Sequence, residues 1–74
     1  MAKESIVLFH SHNYAIWADS ALKKESIDHK MMPIPRQLSS DCGYCIRIKS
    51  DDAELVEKIL HVKNIEYDRI EAAL

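Results

Sequence analysis

Short continuous apolar runs alternate along this chain with longer, spaced apolar stripes. Ile6, Val7, Leu8 and Phe9 form a continuous run of strand-prone residues, too short for a helix, and predict a first strand over Ser5–His10. From about Asn13 to Glu25 the spacing changes. Tyr14, Trp17, Ala18, Ala21 and Leu22 recur at i, i+3, i+4, i+7 and i+8, one apolar face of a helix, which assigns Tyr14 and Trp17 to the core. Ser11 or Asn13 can cap that helix, and Lys23 and Lys24 fall in its last turn, where the dipole favours cations. Ile27–Pro35 predicts a second strand, at a sheet edge because Pro33 and Pro35 lack N–H donors. Tyr44–Lys49 is the clearest strand, with Tyr44, Ile46 and Ile48 on one side and Cys45, Arg47 and Lys49 on the other. Ser50–Glu54 opens a second helix, and Asp51 with Glu54 has capping-box spacing. Leu55, Val56, Ile59, Leu60 and Val62 supply its buried stripe, Asn64 a left-handed stop, and Ile65–Ile70 a last short strand before a frayed tail.

The resulting order is βαββαβ, an α+β, ferredoxin-like arrangement. Two right-handed crossovers then give a four-stranded antiparallel sheet, order 4-1-3-2, with both helices on one face. This topology gathers the end of strand one, the start of helix one, the loop before strand three and the end of helix two at one edge. His10, His12, the Cys42 loop and His61 would share it. Strand one is apolar on both sides, Ile6 and Leu8 opposite Val7 and Phe9. The helix-free face therefore needs cover, which a homodimer through the open sheet face would supply.

At 74 residues the chain reads as one domain, 1–74, too small to enclose a deep cleft. Chemistry would have to sit on a surface loop or between copies. Ten basic and twelve acidic residues give a net charge of −2, which argues against nucleic acid or an anionic membrane as partner. The open face of strand three offers Cys45, Arg47 and Lys49 and no stacking aromatics, unlike an RNA-binding sheet. No apolar run approaches the ~20 residues of a membrane span. The N-terminal apolar run is too short for a signal peptide, so the expected location is cytoplasmic. In that reducing setting two cysteines read as free thiols, ligands or redox partners rather than a staple.

Cys42 and Cys45 are spaced C-x-x-C, which can close a disulfide, bind a soft metal, or act as attacker and resolver. Arg36, the positive end of helix one, and donors from Ser39 and Ser40 would favour the Cys42 thiolate, while Asp41 opposes it. Gly43 suits a sharp entry into strand three. The competing reading makes both cysteines small apolar fillers. The thioredoxin comparison fails, because there the pair opens a helix and here it precedes a strand. His10, His12, Cys42 and Cys45 are the right ligand types for zinc, but their spacing matches no standard zinc module. No metal and no cofactor are expected. His29 and His61 have no partner in the sequence and receive no role.

The run Pro35-Arg36-Gln37-Leu38-Ser39-Ser40-Asp41-Cys42-Gly43 resembles the P-R-x-[LI]-S-S-x-C-G motif of a small bacterial and archaeal family of selenium/sulfur carrier protein-like domains. The resemblance extends over most of the chain. It implies a carrier or binding protein rather than an enzyme. Cys42 would bear sulfur or selenium as a persulfide or perselenide, and Arg36, Ser39, Ser40 and Gly43 would take the surrounding substrate-binding positions. Donor and acceptor proteins would be its partners. The sequence departs from the pattern at Cys45, where a small apolar residue is usual. That cysteine is either a neutral replacement or a resolving thiol, which leaves a small thiol–disulfide oxidoreductase and a non-catalytic binding or regulatory module as alternatives.

Overall fold

A computed structural model describes residues 3–34 and 43–72. Its elements are β1 (Glu4–Leu8), α1 (His12–Lys24), β2 (His29–Pro33), β3 (Tyr44–Lys49), α2 (Ala53–Val62) and β4 (Arg69–Ala72). The four strands form one antiparallel sheet in the order β2-β3-β1-β4, the ferredoxin-like arrangement, with β2 and β4 at the edges. No helix among the described residues is long and apolar enough to cross a membrane.

Strand alternation divides the apolar residues into two clusters. Val7, Ile46 and Ile48 pack with Ala15, Ala18 and Leu22 of α1 and Val56 and Leu60 of α2, so both helices lie on one face. Ile6, Leu8 and Cys45 form a second cluster on the opposite face, with Met32 and Ile34 packed against it. Ile6 is only 5% exposed and Leu8 only 2%. This apolar patch is thus buried within a single chain. Around it the face is charged: Arg47 pairs with Glu4 at 2.9 Å and Lys49 with Asp28 at 3.9 Å.

The helices depart from the pattern in which apolar residues they bury. In α1 the buried residues are Ala15, Ala18, Ala21 and Leu22; Trp17, expected in the core, is 48% exposed and stacks on Tyr14. Trp17 lies more than a quarter turn around the helix from Ala15 and Ala18, off the face that meets the sheet. In α2, Val56 and Leu60 are buried and Ile59 half-buried, while Leu55 and Val62 are exposed. Leu55 and Val62 sit on the same side of that helix, more than a quarter turn away from Val56 and Leu60.

The helix ends are set by hydrogen bonds. Ser11 caps α1, its Oγ accepting from the Asn13 N–H at 3.2 Å. The expected Asp51–Glu54 capping box is not formed. A 3₁₀ turn, Ser50–Asp52, runs straight into α2, and Asp52 makes no side-chain capping bond. Ser50 instead ties the turn to β1, through its N–H to the Lys3 carbonyl at 2.8 Å and its hydroxyl to Ser5 at 2.8 Å. Both helices terminate in the same motif. Ser26 (φ 56°) and Asn64 (φ 57°) are left-handed. Ser26 N–H donates to the Lys23 carbonyl and Ile27 N–H to that of Leu22; Asn64 and Ile65 repeat this with His61 and Leu60. These are Schellman endings, with Ile27 and Ile65 as buried apolar plugs. They are why β2 and β4 start later than the apolar runs suggest.

Candidate functional site

Of the residues singled out from the sequence, Arg36, Ser39, Ser40 and Cys42 lie outside the described residues. The two strand ends that flank them are well defined. Pro33 pairs with Tyr44 at the last rung of the β2–β3 ladder, and the Ile34 N–H donates to the Gly43 carbonyl at 3.1 Å. Gly43 does not have a positive φ, so the expected sharp entry is not what requires glycine there. A Cβ at this position would meet Cδ1 of Ile34 at 3.3 Å, so the glycine's role is to leave space.

Cys45 is the other half of the C-x-x-C pair. Strand register puts it opposite Leu8 on β1 and Met32 on β2. It is completely buried, among Ile6, Leu8, Met32 and Ile34. Its thiol donates to the Pro33 carbonyl with Sγ 3.7 Å from the oxygen. Burial pushes its pKa above the ordinary thiol value. A group in these surroundings is a protonated thiol with no path for a second reactant.

The four histidines do not share one site, though His10 and His61 line one groove. His12 opens α1 and packs against Tyr44, with ring centroids 4.8 Å apart and planes tilted by 52°. Helix one's N-terminus and strand three's first residue therefore meet, as the topology requires. His10 points elsewhere, its Nε2 3.7 Å from a carboxylate oxygen of Asp68. His10 and His61 line a groove of about 850 Å³ with Glu57, Glu66 and Tyr67. Burial and the neighbouring Glu57 carboxylate push the Tyr67 phenol up. Because Cys45 is sealed on the far side of the sheet, it does not join His10 and His12 as a ligand set. Among the described residues no three His, Cys, Asp or Glu side chains are grouped to hold a metal ion.

Sequence reasoning missed one polar constellation altogether. The side chain of His29, on β2, is almost fully buried and bonded to Asp19 of α1 and to the Ile27 carbonyl. A buried histidine has no periodic signature, and its partner lies ten residues away on another element.

Comparison with curated proteins and with solved structures returns no match. The profile of the family described as "Putative Se/S carrier protein-like" matches residues 4–71, from the start of β1 into β4 and across both cysteines. The chain belongs to that family.

Proposed function

We propose that this chain carries sulfur or selenium on Cys42, receiving it from a donor protein and passing it to an acceptor. The family supports carriage in general; the observation that carries the single-cysteine version is the placement of Cys45. The chain has two cysteines, and Cys45 is buried, protonated and bonded to a backbone carbonyl. Such a thiol cannot resolve a mixed disulfide without the sheet opening. The oxidoreductase alternative needs that step, and a carrier does not.

The transfer is an exchange without net oxidation. The Cys42 thiolate attacks the outer sulfur of a donor persulfide, R–S–SH. The new S–S bond forms on Cys42 as the donor's S–S bond breaks, and the donor leaves as R–S⁻. Delivery to the acceptor thiolate is the same exchange in reverse roles. A donor perselenide, R–S–SeH, transfers selenium identically. Arg36, Ser39, Ser40 and the Gly43 N–H are the groups assigned to steady the anionic cargo. The donor and acceptor dock on the outside of a small domain. A homodimer through the open sheet face would find little free apolar area, since Ile6, Leu8 and Cys45 are already buried.

The test is to load the purified protein with a small sulfane-sulfur donor and measure the mass gained by each cysteine peptide. One added sulfur on the Cys42 peptide is expected, retained in Cys45→Ala and lost in Cys42→Ser. Labelling confined to Cys45, or lost in Cys45→Ala, would sink the proposal. No capture by any variant would favour the non-catalytic binding module.

A further inference from the structure

The Asp19–His29 constellation stands apart from the cysteine chemistry and has its own consequence. The His29 side chain is 6% exposed. Its Nδ1 lies 2.7 Å from the Ile27 carbonyl oxygen and its Nε2 lies 2.7 Å from Oδ1 of Asp19. A carbonyl oxygen only accepts, and so does an ionised carboxylate. A neutral imidazole carries one N–H, which can satisfy only one of these two acceptors. Both contacts are hydrogen bonds only when the ring is doubly protonated.

We propose that doubly protonated His29, gripped between Asp19 and the Ile27 carbonyl, is a pH-sensitive clamp that fastens edge strand β2 to helix α1. The position gives the clamp leverage. As an edge strand, β2 is paired on one side only, with β3. The clamp joins it to α1, and its second contact is to the plug of the α1 Schellman ending. At its far end β2 leads into the cysteine-bearing segment.

The charges around the ring leave Asp19 as its counter-ion. From α1, Lys23 approaches the other Asp19 oxygen at 3.3 Å. From β1 and β3, Glu4, Arg47 and Lys49 line the shallow cavity beside His29, together with Asp28 and Lys30 from its own flank. Arg47 is tied to Glu4, and Asp28 to Lys49. Loss of the second ring proton leaves one acceptor facing a bare nitrogen in a buried place, which is costly. The clamp therefore releases when the ring loses its second proton. On the acid side it releases when Asp19 takes a proton.

Amide hydrogen exchange tests this. Protection of β2 relative to β1 is measured at about pH 5.5 and about pH 8, with intrinsic exchange rates divided out. In the wild type that ratio should fall roughly tenfold at the higher pH, the factor carried by one charge-assisted hydrogen bond. In His29→Gln and Asp19→Asn it should not change with pH. Two slowly exchanging His29 ring N–H proton signals should be visible in the wild type at about pH 5.5, a readout that stands even if a variant does not fold. A pH-independent ratio in the wild type, an equal fall in both variants, or only one protected ring N–H would overturn the proposal.

Discussion

Two neighbouring positions on either side of Tyr44, Gly43 and Cys45, show how little of a residue's role follows from its type. The glycine was read as a conformational device and the cysteine as half of a reactive pair. In the fold, Gly43 makes room for Ile34 and Cys45 is core. Gly43→Ala should accordingly fold, with a stability change under about 1 kcal/mol. Among the described residues the close neighbour is the end of a flexible side chain, and alanine gains from a less disordered unfolded state. Cys45→Ala removes one sulfur from a filled site and should cost about 1–2 kcal/mol, seen as a lower urea midpoint at unchanged slope. The thiol also has a pH signature. Its pKa is raised in the fold by burial, so the folded chain keeps the proton after the unfolded chain has lost it. Its contribution is full below the ordinary thiol range and is lost as pH rises from about 8.5 through the folded value. Wild-type stability should decline over that range more steeply than that of Cys45→Ala; parallel curves would mean that Cys45 is not sealed.

At the scale of the element, the order of strands and helices was legible because period two and period 3.6 leave different traces. The sheet order followed from two crossover connections. The boundaries were less legible, for a reason visible at Ile27 and Ile65. Each reads as the first residue of a strand, yet each is the plug of a Schellman ending, buried by the helix that precedes it. Sequence cannot separate the two roles when a lone isoleucine stands between a turn residue and a strand. The apolar stripes of the helices were over-read at Trp17, Leu55 and Val62, because spacing measures angle and not the width of the face that is covered. The C-x-x-C spacing misled in a similar way. Proximity in sequence fixes nothing about shared surroundings when strand alternation sends one residue of the pair into the sheet. The helix endings give a testable consequence. Ser26 carries a Cβ at φ 56° with no glycine to absorb the strain. Ser26→Gly should raise stability by about 0.5–1 kcal/mol, whereas Asn64→Ala should lower it by about 1 kcal/mol, since asparagine tolerates the left-handed region better than alanine. Thermal unfolding of the two variants checks both signs. A loss on Ser26→Gly would show that the serine makes a compensating interaction.

At the scale of the whole molecule, the sheet separates two cores of unequal size, and among the described residues the polar interactions that cross between layers are few. Most ion pairs lie in the solvent-exposed rim, such as Arg47 with Glu4 and Lys49 with Asp28, and pairs of this kind contribute little. Asp19 differs, because its side chain is only 22% exposed and it joins the helix layer to the sheet. Burial acts to raise the pKa of its carboxyl, but hydrogen bonds and charge from His29 and Lys23 outweigh this and hold it below the ordinary value. A carboxylate with a depressed folded pKa stabilises fully above its unfolded pKa of about 3.9, and the stabilisation is lost as pH falls through the folded value. Acid should therefore loosen the attachment of α1 to the sheet only below the ordinary carboxylate range, after exposed carboxylates have begun to take protons. Urea midpoints between about pH 5 and about pH 2.5 should fall more steeply for the wild type than for Asp19→Asn. The variant starts lower because it has already lost the ion pair. His29→Gln, which leaves Asp19 with Lys23 alone, should lie between them. If the three curves fall in parallel, the layers are joined by apolar packing, and the Asp19 carboxylate has no part in the acid limit of the fold.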